Sequence, residues 1–70
     1  MSEVRAEMVA NVCQVVAAKG DQVSDGDTLV ILESMKMEIP VLAEEPGVVT
    51  AMHVAVGDVV QEGDVIAVIG

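Results

Sequence analysis

The residue with the clearest chemical potential in this 70-residue sequence is a lysine near its middle, Lys36, within the segment Glu-Ser-Met-Lys-Met-Glu at residues 33–38. A lysine amine becomes a nucleophile once it loses its proton. The simplest interpretation is an ordinary surface lysine on a turn. That interpretation leaves unexplained the two methionines, Met35 and Met37, that bracket Lys36 where the chain is predicted to be exposed.

Two predicted strands position this lysine. Thr28–Ser34 contains a continuous apolar run, and Met37–Leu42 alternates apolar side chains with Glu38 and Pro40, which is the period of a half-buried strand. A two-residue loop at Met35 and Lys36 would make a hairpin with Lys36 at its tip. The predicted register pairs Ser34 with Met37, Leu32 with Ile39, and Val30 with Val41, all on one face.

Two local features of this predicted hairpin are unfavourable. Two-residue hairpin loops favour glycine and asparagine because the loop backbone needs positive φ, and the pair Met35-Lys36 contains neither. The same register places Glu33 directly opposite Glu38, and like charges across a strand pair destabilise it. Local rules that fail together are typical of functional sites.

Composition predicts a small all-β domain over residues 1–70. The chain has sixteen valines and no aromatic residue, and valine favours pleated sheet. The single cysteine, Cys13, cannot form an internal disulfide, which favours a reducing cytoplasm. The longest apolar run has five residues and the N-terminus lacks a signal-peptide pattern, so we expect no membrane segment and a cytoplasmic location.

The formal net charge of −9 argues against a nucleic-acid partner, because a phosphate backbone would be repelled. The acidic surface has two compatible interpretations. It keeps the protein dissolved, and it steers the protein onto basic patches of partner enzymes.

The second half of the sequence repeats the first at an offset of 37 residues, most clearly in the Gly-Asp segments at 20–27 and 57–64. Two copies are too few for a solenoid, so the repeat predicts two similar halves packed face to face. The remaining strands are predicted at 4–9, 12–18, 48–56 and Val65–Ile69, with turns at 10–11, 20–27, 43–47 and 57–64. Pro40 predicts an edge or unpaired position in its strand.

The Gly-Asp segments do not carry ligand motifs. Asp21, Asp25 and Asp27 lack the spacing of an EF-hand loop, and neither a Walker A nor a Gly-x-Gly-x-x-Gly pattern is present. We interpret them as turns in which glycine adopts positive φ and aspartate bonds to its own backbone. No metal site is predicted.

The segment at 33–38 resembles the biotin attachment motif of biotinyl domains such as biotin carboxyl carrier proteins, and the resemblance extends from about Arg5 to Ile69. In length the chain is similar to small free-standing bacterial biotin/lipoyl attachment proteins. The resemblance implies covalent biotin on Lys36, with Met35 and Met37 beside it, and recognition of Glu33, Ser34 and Glu38 by biotin protein ligase. It also implies a flattened β-barrel of two four-stranded antiparallel sheets with quasi-two-fold symmetry. We expect no protruding thumb, since no insertion separates the second and third predicted strands.

The family resemblance further implies a non-catalytic carrier that serves biotin carboxylase and carboxyltransferase subunits, and we expect a monomer. Two alternatives stay open at this point. Lipoyl domains share the fold, so Lys36 could carry lipoate, although methionine on both sides of the lysine is typical of biotin. The chain could also be an acidic interaction module without any attached group.

Overall fold

A computed structural model describes residues 2–70 of the chain as eight β-strands. No helix long and apolar enough to cross a membrane occurs in this range. The strands, numbered in chain order, are β1 Ser2–Arg5, β2 Ala10–Val15, β3 Gln22–Val23, β4 Thr28–Ser34, β5 Met37–Leu42, β6 Gly47–Met52, β7 Val59–Val60 and β8 Val65–Ile69.

The strands form two four-stranded antiparallel sheets with the orders β1-β8-β6-β3 and β5-β4-β2-β7. Strands β6 and β7 begin 37 residues after β2 and β3, so the strand order of one sheet maps onto that of the other. The flattened sandwich and its quasi-two-fold symmetry, both expected from the sequence, are therefore confirmed. Between β2 and β4 the chain forms only β3 and its flanking turns, so this part of the described chain has no protruding thumb.

The repeated Gly-Asp segments are turns, as predicted. Asp21 Oδ2 accepts a hydrogen bond of 2.9 Å from the Ala18 amide, and Asp58 Oδ2 accepts one of 2.9 Å from the Ala55 amide. Asp27 and Asp64 accept equivalent bonds in the second turn of each copy. Aspartate thus satisfies backbone donors at each turn. Within residues 2–70, no group of three His, Cys, Asp or Glu side chains is placed to hold a metal ion.

Two short strands, β3 and β7, lie inside segments that the sequence predicted as turns alone, so that prediction was incomplete. Each pairs with the opposite half of the chain: β3 with β6, and β7 with β2. Backbone bonds from Gly20 N to Val49 O at 2.7 Å and from Gly57 N to Val12 O at 2.9 Å reinforce these exchanges. Strands of two residues have no readable periodicity, and their partners lie far away in sequence.

The bounds of three predicted strands, β1, β2 and β6, were also wrong. β1 runs from Ser2 to Arg5 and not over the predicted residues 4–9, and Met8, which lies beyond its end, is exposed. β2 already begins at Ala10, where a turn was predicted, and ends at Val15 because the chain must then turn into β3. β6 begins at Gly47, predicted as loop, and ends at Met52. The bounds of β4, β5 and β8 agree with prediction.

The core is entirely aliphatic. Leu32 and Ile66 anchor one buried cluster and Leu29 and Ile69 a second, with valines filling the space between. The described residues include no buried polar or charged side chain. Each of the two clusters contains residues of both sheets, so this aliphatic packing holds the sheets together.

Candidate functional site

The β4–β5 hairpin has the predicted register. Ser34 pairs with Met37, Glu33 with Glu38, Leu32 with Ile39 and Val30 with Val41. Leu32 and Val30 are buried, and their partners Ile39 and Val41 pack against the same core cluster. A slip of β5 by one residue along β4 would turn Ile39 and Val41 away from the core, so burial fixes the register and with it the position of the tip.

The tip itself has an uncommon backbone. Met35 and Lys36 have φ values of 53° and 65°, and they are the only non-glycine residues with positive φ in the described range. Positive φ at both loop residues is the type I′ geometry that matches the twist of paired strands. A side chain in this region costs on the order of 1 kcal/mol per residue. The paired strands therefore hold two side chains in a conformation that glycine would adopt more easily.

The side chains at the tip extend into solvent. Lys36 is exposed, and Met35 and Met37 are 92% and 62% exposed. Met35 is the most exposed of the large apolar side chains in the described range, whereas Met37 is about as exposed as Val9, Val56 and Val59. Two thioether side chains thus flank the amine on a surface that a partner can reach.

The amine of Lys36 has no acidic partner in the described chain. The one ion pair among residues 2–70 joins Arg5 Nη2 and Glu3 Oε1 at 2.6 Å. Glu33 and Glu38 lie opposite each other behind the tip, and both are exposed. The structure brings all six predicted residues of the attachment segment together, with Ser34 half-buried at the end of β4. No hydrogen bond or ion pair of Lys36 Nζ occurs among the described residues.

Pro40 lies in β5, which is an edge strand of its sheet, as its missing N–H predicted. Cys13 is an exposed free cysteine on β2 and lies outside the hairpin. His53 is likewise exposed beyond the end of β6. The predicted chemistry is therefore confined to the hairpin tip.

Comparison with known proteins agrees with this geometry. The family model of biotin/lipoyl domains, described as "Biotin-requiring enzyme", matches residues 2–69. This chain belongs to the biotin/lipoyl family. A "Biotinylated protein TB7.3 homolog" from Mycobacterium leprae is 63% identical over 67 residues, which cover 96% of this chain and 94% of the relative.

Solved structures of other proteins contain the same fold. The urea carboxylase of Kluyveromyces lactis superposes with a TM-score of 0.92 and 38% identity, covering 99% of this chain but only 6% of the carboxylase chain. The lipoyl domain of the 2-oxoglutarate dehydrogenase complex from Azotobacter vinelandii gives a TM-score of 0.76 and 26% identity, covering 89% of this chain and 78% of that domain. The same fold therefore occurs within a carboxylase and in a lipoyl domain.

Substitution of Glu33 tests whether the glutamate pair behind the tip serves recognition by the ligase or the stability of the fold. We expect Glu33→Lys to leave the melting temperature unchanged or to raise it, because a like-charged pair becomes an oppositely charged one, worth about 0.2–1 kcal/mol. The same variant should be biotinylated more slowly if ligase reads this carboxylate. Thermal unfolding and initial rates of biotin incorporation measure the two effects.

The matched control is Glu62→Lys, which makes the same charge change at an exposed turn outside the hairpin. It should be labelled at the wild-type rate. A lower melting temperature for Glu33→Lys with unchanged labelling would assign Glu33 to stability instead.

Proposed function

We propose that this chain is a biotin carrier in which Lys36 forms an amide with biotin. The observation that carries the proposal is the solvent-exposed amine of Lys36, held between Met35 and Met37 at the tip of a register-locked hairpin. Membership of the biotin/lipoyl family over residues 2–69 and the biotinylated relative support it. The exposed, unpaired amine fits an acylated lysine, because no neighbouring side chain would have to be displaced.

Attachment is an acyl transfer catalysed by a separate biotin protein ligase. Lys36 Nζ, once deprotonated by the ligase, attacks the acyl carbon of biotinyl-adenylate; the new amide bond forms and AMP leaves. This chain positions the reacting group: the paired strands hold the Lys36 amine at the tip, and Met35 and Met37 form an apolar surface around it. Glu33, Ser34 and Glu38 complete the surface that the ligase reads.

The chain is the carrier and not the catalyst. The bound biotinyl group supplies a ureido nitrogen that accepts a carboxyl group at a biotin carboxylase and releases it at a carboxyltransferase. The hairpin keeps the attachment point clear of the body of the protein, so that one reactive group reaches two partner sites at high effective concentration. The small single domain, acting as a monomer in the cytoplasm, suits this exchange between partners.

A lipoyl carrier on the same lysine is the alternative, favoured by the structural similarity to the lipoyl domain described above. The intact mass of the protein isolated from its native cells separates the possibilities. We expect the mass increment of one biotinyl group, absent from a Lys36→Ala variant expressed in parallel. A lipoyl increment would establish the alternative, and a chain without any added group would identify a non-carrier interaction module.

A further inference from the structure

A cleft of about 700 Å³ lies between β1 and β5, which are one edge strand from each of the two sheets. Each of these strands has one neighbour in its own sheet, so its other edge has no strand partner in the described chain. The quasi-two-fold symmetry relates β1 to β5, which places the cleft at the open seam where the two sheets come together. Ser2 Oγ donates a hydrogen bond to Glu45 Oε1 across this seam.

The floor of the cleft is apolar. Leu32 and Ile69 are buried beneath it, while Val4, Ile39 and Val41 are half-buried and remain partly accessible from outside. Side chains of a strand alternate between its two faces. An extended segment lying in the cleft could therefore place every second side chain on this aliphatic floor and direct the others towards the rim.

The rim of the cleft is strongly acidic and contains the five carboxylates of Glu3, Glu7, Asp25, Glu44 and Glu45. Its one cation is already engaged: Arg5 Nη2 lies 2.6 Å from Glu3 Oε1, and Arg5 Nη1 donates to Gly63 O at 2.7 Å. Four carboxylates of the rim therefore have no cationic partner within the described residues. A second copy of this acidic chain would bring like charges together, so the rim selects a basic occupant.

We propose that this cleft is a docking site for an extended segment of a partner protein in which aliphatic side chains alternate with lysine or arginine. The aliphatic side chains of such a segment would pack on the apolar floor, and its cationic side chains would pair with the carboxylates of the rim. β5 contains Pro40, which has no N–H to donate, and side-chain contacts dominate recognition. Ile39 lines the cleft and is three residues from Lys36. A partner protein whose segment binds in the cleft would therefore be held beside the hairpin.

The test is a methyl and amide NMR titration of the unmodified Lys36→Ala protein with the peptide acetyl-Lys-Val-Lys-Val-Lys-amide. We expect shifts concentrated on Val4, Ile39 and Val41. The acidic counterpart, acetyl-Glu-Val-Glu-Val-Glu-amide, should produce none. Because this protein cannot carry biotin on residue 36, the result is independent of the carrier function proposed above.

Two charge-matched variants distinguish the cleft from the overall charge. Glu44→Gln with Glu45→Gln removes two rim charges, and the amide oxygen introduced at position 45 can still accept the Ser2 bond; this variant should raise the Kd by about tenfold or more. The control Gln14→Lys with Gln22→Lys changes net charge equally at exposed sites of β2 and β3, away from the seam. It should change the Kd by less than about threefold.

Shifts confined to the cleft together with selective weakening by the rim variant support the proposal. Equal weakening by both variants would show attraction by net charge alone and overturn it. Shifts centred elsewhere, binding of the acidic peptide, or no binding of the basic peptide at millimolar concentration would each overturn it as well.

Discussion

Replacing Lys36 by alanine is expected to reduce biotin incorporation to background. The amide requires a primary amine, and the chain has only one other lysine side chain, Lys19. Lys19 is exposed, but it lies in a turn beside Gly20, whose amide is bonded to Val49 O at 2.7 Å, and no methionine flanks it. Incubation with ligase, biotin and ATP, followed by digestion and mass mapping, measures the incorporation at each lysine.

Two controls accompany this measurement. Lys19→Ala should be labelled like the wild type, since it leaves the hairpin unchanged. Lys36→Arg should be as inactive as Lys36→Ala although it keeps the positive charge, because a guanidinium does not lose its proton in proteins. Biotin on Lys19, or label surviving in Lys36→Ala, would remove Lys36 as the sole attachment site.

Moving the lysine by one position is expected to lower biotinylation at least about a hundredfold, because small misplacements of reacting groups are that costly. The double variant Met35→Lys with Lys36→Met keeps composition and net charge. Both loop positions already hold non-glycine residues at positive φ, so the exchange adds no new backbone conformation for either side chain. The amine would nevertheless extend from residue 35, the first residue of the turn, and would point in a different direction.

The measurement is the initial rate of labelling, compared with wild type after thermal unfolding and NMR have shown an intact hairpin. The β4–β5 register should be unchanged, because Leu32 and Val30 remain buried on the core face. Near-normal labelling of the relocated lysine in the folded variant would show that ligase reads the local sequence and tolerates a shift. The requirement for exact presentation on a rigid hairpin would then be wrong.

Both expectations require that the rest of the sandwich keeps the β4–β5 hairpin folded. The two exposed glutamates and the strained turn would destabilise an isolated hairpin, and two-stranded hairpins are marginal in water. Here β4 is also paired with β2, and its inner face is covered by the opposite sheet. The stability of the sandwich therefore offsets the unfavourable residues at the attachment point.

Much of this protein could be predicted from its sequence because the signals are local. The hairpin register follows from the alternation in β5 and from the two-residue loop, and the turns follow from Gly-Asp pairs in which each aspartate bonds to an amide three residues earlier. The valine content predicted an all-β domain and the 37-residue repeat predicted two similar halves packed face to face, while the resemblance to biotinyl domains implied the two four-stranded sheets. The attachment segment was recognisable because its six residues are contiguous.

Only the tertiary structure decided the features that depend on distant segments. β3 and β7 exist because each completes the sheet of the opposite half, and two residues alone carry no pattern. The starts of β2 and β6 follow from the same exchange. The acidic cleft joins the edges of β1 and β5, which are separated by most of the first half of the chain. Which strand edges meet is set by how the two sheets pack, and local sequence periodicity does not encode that packing.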